Sequence, residues 1–329
     1  MASWLPIVSP RHRLRTAAAV AASAVVGVVG GAGHGSADST SVAPERDVSA
    51  PLSAAGCTTR REERQTREFT LRLPSSQGDR TAVVRVPART AVARSPLVVA
   101  LHGSGSSGRF MKRYSGLAEI GDEEGFTVAF PDATPQHRVW NLNAGSAPDD
   151  VGFVEELIEQ VATVACVDPG RVFVVGVSNG GGLAARVGCE LSGRVSGIVV
   201  VAGGFGGLPQ CRPHRPVSVL EIHGSNDPVV PYRGDPRHGG AGDVRAWLAG
   251  WAQRDRCGST MRPRTMAPRA LRFDWRGCAP GTKLAHIQVL GGGHQWPGAK
   301  PPDPGPPSTF SAGQQAWQFL ASLRAPRDE

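Results

Sequence analysis

Apolar runs recur along this chain, and polar, glycine-rich segments close most of them. Pro96–Leu101, Phe126–Phe130, Val172–Val175, Val195–Val201, Pro216–His223 and Leu284–Leu290 are nearly continuous in apolar residues. A strand with one wet face alternates, whereas a strand covered on both faces does not. These six runs therefore predict strands of a buried, mostly parallel sheet. Glu68–Leu73 and Thr81–Val86 predict an outer hairpin with its turn at Ser75–Asp79. Between the strands, Val154, Leu157, Ile158 and Val161 repeat at helical spacing within Val151–Cys166. Ser115–Glu124, Gly242–Arg254 and Ser311–Leu323 also predict helices. Alternating strands and helices give an α/β fold, a central sheet flanked by helices. Ligands on such sheets collect at the carboxyl ends of the strands. The glycine-rich punctuation falls there, after Leu101, Val175, Ile222 and Leu290.

Composition narrows this picture at the N-terminus. Arg11, Arg13 and Arg15 precede an apolar run of Ala, Val and Gly, with small residues around Ala32–Ala37. Residues 1–37 predict a signal peptide, 38–55 a disordered Ser/Ala/Pro-rich spacer, and 56–325 one catalytic domain. The run lacks Leu, Ile and Phe, so cleavage is expected rather than stable membrane insertion. The net charge of +8 comes from scattered arginines, with lysine only at 112, 283 and 300. No basic block with interleaved aromatics is present, so no nucleic-acid partner is expected.

Six cysteines in an exported chain predict disulfides. Fifteen pairings are open to them. Cys257 and Cys278 flank one excursion and are the first pair expected. The other four cysteines still allow three pairings, of which Cys189–Cys211 with Cys57–Cys166 is the one guessed. No C-x-x-C and no His/Cys cluster of zinc spacing occurs, so neither metal nor cofactor is expected. Ala54-Ala55-Gly56-Cys57 faintly resembles a lipidation box, which would tether the chain at the cell surface but leave an odd thiol. A secreted protein is the expectation.

The chemistry starts at Gly176-Val177-Ser178-Asn179-Gly180, a G-x-S-x-G between a β-branched strand and a run of small residues suited to a helix start. In a nucleophile elbow, glycines flank the serine because the turn leaves no room for side chains. A free hydroxyl needs a general base, and the chain order for this arrangement is serine, acid, histidine. Asp227, in His223-Gly-Ser-Asn-Asp-Pro228, and His294, in Gly291-Gly-Gly-His-Gln-Trp-Pro297, lie in the loops where the partners belong. Asp235 and Asp243 lie further from the strand end, and His286 falls inside a strand. His102 and His223, each before a glycine, are expected to shape their turns. The backbone amides of Asn179 and Ser104 are expected to form an oxyanion hole, with Gly105 the fallback. Trp140 and Trp296 are expected to wall the substrate site, and Asp149-Asp150 to cap a helix.

Taken together, LHGSGSSG, VWNLNAG with DDVGFVEELI, RVFVVGVSNGGG, EIHGSNDPVVPY, GGGHQWPG and AWQFL resemble the polyhydroxybutyrate-depolymerase/feruloyl-esterase group of secreted α/β-hydrolases, akin to the first carbohydrate esterase family. The resemblance covers Glu68–Leu323. It implies an α/β-hydrolase fold with little or no lid, the triad Ser178, Asp227 and His294, and an ester substrate, polymeric esters included. Feruloyl, acetyl and hydroxyalkanoate esters all fit it. Where family members often carry Cys after the His-Gly, this chain has Ser104. Two alternatives are a peptidase of related fold and a catalytically silent binding protein. The first would use a propeller or large cap that this chain does not resemble. The second would lack a triad member, and all three are present.

Overall fold

The computed structural model describes Leu52, Cys57 and residues 65–323, apart from 75–77, 89–93, 206–210, 236–240, 259–261, 302 and 304–306. The expected signal peptide, and all of the expected spacer but Leu52, lie outside the described residues.

Among the described residues, one sheet of ten strands organises the fold: β1 (Arg67–Leu73), β2 (Arg80–Val86), β3 (Ser95–Leu101), β4 (Thr127–Pro131), β5 (Val167–Val177), β6 (Gly197–Val201), β7 (Ser218–Gly224), β10 (Arg264–Ala267), β11 (Ala270–Asp274) and β12 (Leu284–Val289). Among the described residues, two further short strands, β8 (Arg233–Asp235) and β9 (Ala241–Asp243), pair with each other. The spatial order is β1-β2-β4-β3-β5-β6-β7-β12-β11-β10. Parallel pairing runs from β4 through β3, β5, β6 and β7 to β12. The outer strands at both ends pair antiparallel.

The continuous apolar runs have a direct cause. On β3, Leu97, Val99 and Leu101 join one core while Val98 joins the other with Ala100. Successive side chains point to opposite faces, so a strand covered twice must be apolar at every position. Helices α3 (Asp150–Val164), α4 (Asn179–Glu190) and α5 (Val244–Arg254) cover the first face, through Leu157, Leu183 and Leu248 among others. Helices α1 (Gly108–Ser115), α2 (Leu117–Glu124) and α6 (Ala312–Ala321) cover the second, through Met111, Leu117 and Trp317. This is the α/β-hydrolase architecture.

Some elements differ from expectation. The helix expected over Ser115–Glu124 is α2, which starts at Leu117 because Gly116 adopts a left-handed φ of 69° and separates it from α1, a helix not expected from the sequence. Helix α1 begins earlier, where the Ser107 hydroxyl accepts a hydrogen bond from the Phe110 amide. The β10–β11 hairpin carries exposed and half-buried residues such as Arg264 and Arg272, and so shows no apolar run.

Disulfides join Cys57 to Cys166, Cys189 to Cys211 and Cys257 to Cys278. Among the described residues, no helix is long and apolar enough to cross a membrane.

Candidate active site

Ser178 sits between the end of β5 and the start of α4, with φ 55° and ψ −121°. A non-glycine residue at positive φ is strained and is kept there only by its surroundings. Those surroundings are the flanking glycines. A Cβ on Gly176 would lie 2.1 Å from the Gly180 carbonyl oxygen, and one on Gly180 would lie 2.4 Å from that of His102. The close approach of β5, β3 and α4 aims the Ser178 hydroxyl over the carboxyl rim of the sheet.

Two loops bring partners to it. His294, in the loop after β12, places Nε2 2.9 Å from Ser178 Oγ. Its Nδ1 lies 2.8 Å from Oδ2 of Asp227, in the loop after β7. A carboxylate only accepts, so Nδ1 carries the proton and Nε2 is left to accept from the serine hydroxyl. Asp227 Oδ1 accepts from the amides of Val229 and Val230, both at 2.8 Å. Burial pushes the Asp227 carboxyl up. Hydrogen bonds from His223, His294 and the Val230 amide outweigh burial and hold it well below the usual carboxylate range.

Two of the weighed alternatives, Asp243 and His286, have other places. Asp243 caps α5, accepting from the amides of Arg245 and Ala246. His286 is buried in β12 against the Tyr232 hydroxyl.

Asn179 is the first residue of α4, so its amide belongs to the helix turn that lacks intrahelical acceptors. Ser104 borders the same cavity as Ser178. The Gly105 amide donates to the Arg138 carbonyl at 2.8 Å and is not free to act as the fallback donor. His102 is buried and shapes this turn. Its Nε2 accepts from the Ala133 amide at 3.1 Å, which leaves Nδ1–H to donate to the Gly103 carbonyl at 2.7 Å. Burial lowers its pKa, in keeping with a neutral ring.

The cavity at this rim measures ≈ 390 Å³ and is lined mainly by His102, Ser104, Phe110, Met111, Tyr114, Val177, Ser178, Val229 and His294. Trp140 and Trp296 do not line it. Both are 1% exposed, and the expectation of an aromatic wall from these two is corrected. The Trp140 indole N–H donates to the His102 carbonyl at 2.8 Å, which draws the ring under the site. The Trp296 amide donates to Asp303 at 2.9 Å, and its ring packs into the core beside Tyr114. The apolar wall comes instead from α1. Phe110 and Tyr114 stack there with ring centroids 5.1 Å apart. The available signal was the spacing of Phe110, Met111 and Tyr114 directly after the His-Gly loop.

Asp149 caps α3 by accepting from the Gly152 amide at 3.0 Å. Asp150 is buried as the ion-pair partner of Arg80 and accepts from the Asn141 amide at 2.5 Å. The pair thus pins the loop that carries Trp140. Among the described residues, no group of His, Cys, Asp and Glu could hold a metal ion.

Residues 81–232 match the family model described as Esterase PHB depolymerase. NocK of Nocardia uniformis subsp. tsuyamanensis, assigned as an esterase, is 31% identical over 229 residues, which cover 62% of this chain and 66% of that protein. Feruloyl esterase B of Piromyces equi is 28% identical over 266 residues, covering 75% of this chain and 46% of its own. The chain thus spans less than two thirds of the length of these curated relatives. The solved acetyl xylan esterase of Aspergillus awamori superposes with a TM-score of 0.55 at 13% identity, covering 77% of this chain and 99% of that one. At that identity the likeness is one of fold.

Proposed function

We propose that this chain, which matches the Esterase PHB depolymerase family model over residues 81–232, is a serine esterase working through Ser178, His294 and Asp227. The observation that carries this reading is one imidazole bridging a strained serine and a buried carboxylate, at 2.9 and 2.8 Å, beside an open cavity.

The geometry performs the reaction in two halves. His294 Nε2 accepts the hydroxyl proton as Ser178 Oγ attacks the ester carbonyl. Asp227 holds the ring in the correct tautomer and stabilises the imidazolium that forms. The developing oxyanion is bound by the amides of Asn179 and Ser104. Collapse expels the alcohol, which takes its proton from His294 and leaves an acyl-enzyme on Ser178. Water, deprotonated by the same imidazole, then releases the acid. No cofactor enters this scheme.

The substrate class is an ester with an accessible acyl group, either a feruloyl or acetyl ester of a plant polysaccharide or a hydroxyalkanoate oligomer or polymer. The apolar face of Phe110, Met111 and Val229 supports an acyl or alcohol group of low polarity. We also place the protein outside the cell. Three disulfides support that placement, because such bonds persist in oxidising compartments.

The test is a hydrolysis panel on purified protein with its disulfides intact. Short-chain nitrophenyl esters, methyl ferulate, acetylated xylan and hydroxybutyrate oligomers would each be run beside Ser178→Ala. The reading expects turnover of at least one class, abolished in the variant. Full activity in Ser178→Ala, or none on any ester, would overturn it.

A further inference from the structure

Behind Asp227 lies a second set of buried polar groups that the reaction just described does not use. Glu221 and His223 stand two residues apart on β7, so they share one face of the strand. Both side chains are 0% exposed. Glu221 Oε1 lies 2.8 Å from His223 Nδ1. His223 Nε2 lies 2.9 Å from the Val230 carbonyl oxygen and 3.3 Å from Asp227 Oδ2. On its other side, Glu221 Oε2 lies 2.6 Å from Nδ1 of His286, its register partner on β12. His286 Nε2 meets the Tyr232 hydroxyl at 2.9 Å, and the Tyr232 ring meets His223 edge-on with centroids 6.0 Å apart.

A carboxylate in the middle of a fully buried strand is costly unless a cation and hydrogen bonds compensate it. The geometry at His223 supplies both. Its two ring nitrogens face a carboxylate on one side, and a carbonyl and a second carboxylate on the other. All three are acceptors. A neutral imidazole has one N–H and would turn a lone pair towards one side. Burial pushes the Glu221 carboxyl up, but His223 and His286 outweigh it and hold Glu221 below its ordinary value as a carboxylate. Against a carboxylate, only the doubly protonated ring satisfies both sides. Burial opposes that charge, but Glu221 and the hydrogen bonds to Asp227 and Glu221 prevail and raise its pKa to about 10.

We propose that His223 is a positioning residue of the active site: an imidazolium anchored to buried Glu221, it grips the Asp227 carboxylate from behind and fixes the oxygen that orients His294. With it, Asp227 is held on four sides. The amides of Val229 and Val230 hold Oδ1, and His294 and His223 hold Oδ2. Glu221 acts through His223 by keeping it charged. The inference rests on the reading of Ser178, His294 and Asp227 as the catalytic set.

The direct test is ¹⁵N NMR of the full protein labelled at histidine, with His223→Gln used to identify the signal. We expect both His223 ring nitrogens to remain protonated up to about pH 8, well above the ordinary histidine range. A His223 ring that is neutral at about pH 7 overturns the proposal, and so does a wild-type spectrum in which no histidine stays doubly protonated at about pH 8, which needs no variant. Kinetics give the second arm. In His223→Gln and Glu221→Gln, kcat for a nitrophenyl ester should fall about 10–100-fold with KM nearly unchanged, as expected when a reacting group is misaligned. Wild-type kcat in folded variants overturns the proposal. Ser178→Ala, run in parallel, separates the two ideas. If it keeps activity, the catalytic reading fails. If it is inactive while His223→Gln is fully active, only the positioning role fails.

Discussion

Asn179 and Trp140 exchange two hydrogen bonds across the rim of the sheet. The Asn179 side-chain oxygen accepts from the Trp140 amide at 2.7 Å, and its side-chain nitrogen donates to the Trp140 carbonyl at 3.1 Å. The residue after the proposed nucleophile is thereby tied to the loop between β4 and α3. The same loop is held from below by the Trp140 indole on the His102 carbonyl and by the buried Arg80–Asp150 pair. The amide expected to face the oxyanion therefore belongs to a backbone fixed from two directions.

Replacing Asn179 with Ala removes both bonds. At about 0.5–1.5 kcal/mol each, the stability loss should be about 1–3 kcal/mol. Release of the loop should also lower kcat about 10–100-fold. Urea unfolding and steady-state kinetics on one ester check the two together. A variant with wild-type kcat would show that this tie does not support the site.

The elbow makes a sharper steric prediction. A methyl group at Gly180 would press into the backbone oxygens of His102 and Leu101, at 2.4 and 2.5 Å. Neither can retreat, because both lie where β3 enters the His-Gly loop. Gly180→Ala should cost at least about 3 kcal/mol or give no folded protein. A Cβ on Gly204 meets nothing within 4 Å, so Gly204→Ala should change stability by less than about 1 kcal/mol. Thermal unfolding of the pair distinguishes a steric requirement from a general intolerance near Ser178.

Asp255 makes stability depend on pH. It is buried at the end of α5, and Oδ1 accepts from the Val217 amide at 3.1 Å. Burial pushes its carboxyl up from 3.8 to about 7, with that bond and Arg254 opposing. Between those two values the folded protein binds the proton and the unfolded chain does not. Stability from this group therefore falls as pH rises through that window. Asp255→Asn removes the dependence, so the variant should be the more stable protein at about pH 8 and gain nothing at about pH 4. Urea midpoints at the two pH values test the sign.

Much of this arrangement is legible in the chain itself, for local reasons. The strands around Val99, Val174 and Val199 are buried on both faces, so they read as apolar runs without reference to anything distant. Ser178, Asp227 and His294 follow such runs within glycine-rich loops, so their place at the sheet's rim is readable too. Helix α1 is hidden because it starts inside a Gly/Ser tract and mixes Arg109, Lys112 and Arg113 with its apolar residues. Hairpin β10–β11 is hidden because an edge hairpin with few buried residues has little apolar surface to announce. The burial of Trp140 depends on the His102 carbonyl, 38 residues away in sequence. A loop tryptophan under the site and one facing substrate look alike until the chain is folded. The same is true of Glu221, His223 and His286, whose meaning lies in a contact between β7 and β12.

The most direct test of the account is to trap the acyl-enzyme. The protein would be mixed with p-nitrophenyl acetate, quenched in acid within the first turnover, digested and weighed peptide by peptide. The account predicts a single acetyl group on the peptide that contains Ser178, absent from Ser178→Ala and much reduced in His294→Ala. Acetylation of another residue during productive turnover, or turnover with an unmodified Ser178 peptide at every time point, would contradict it.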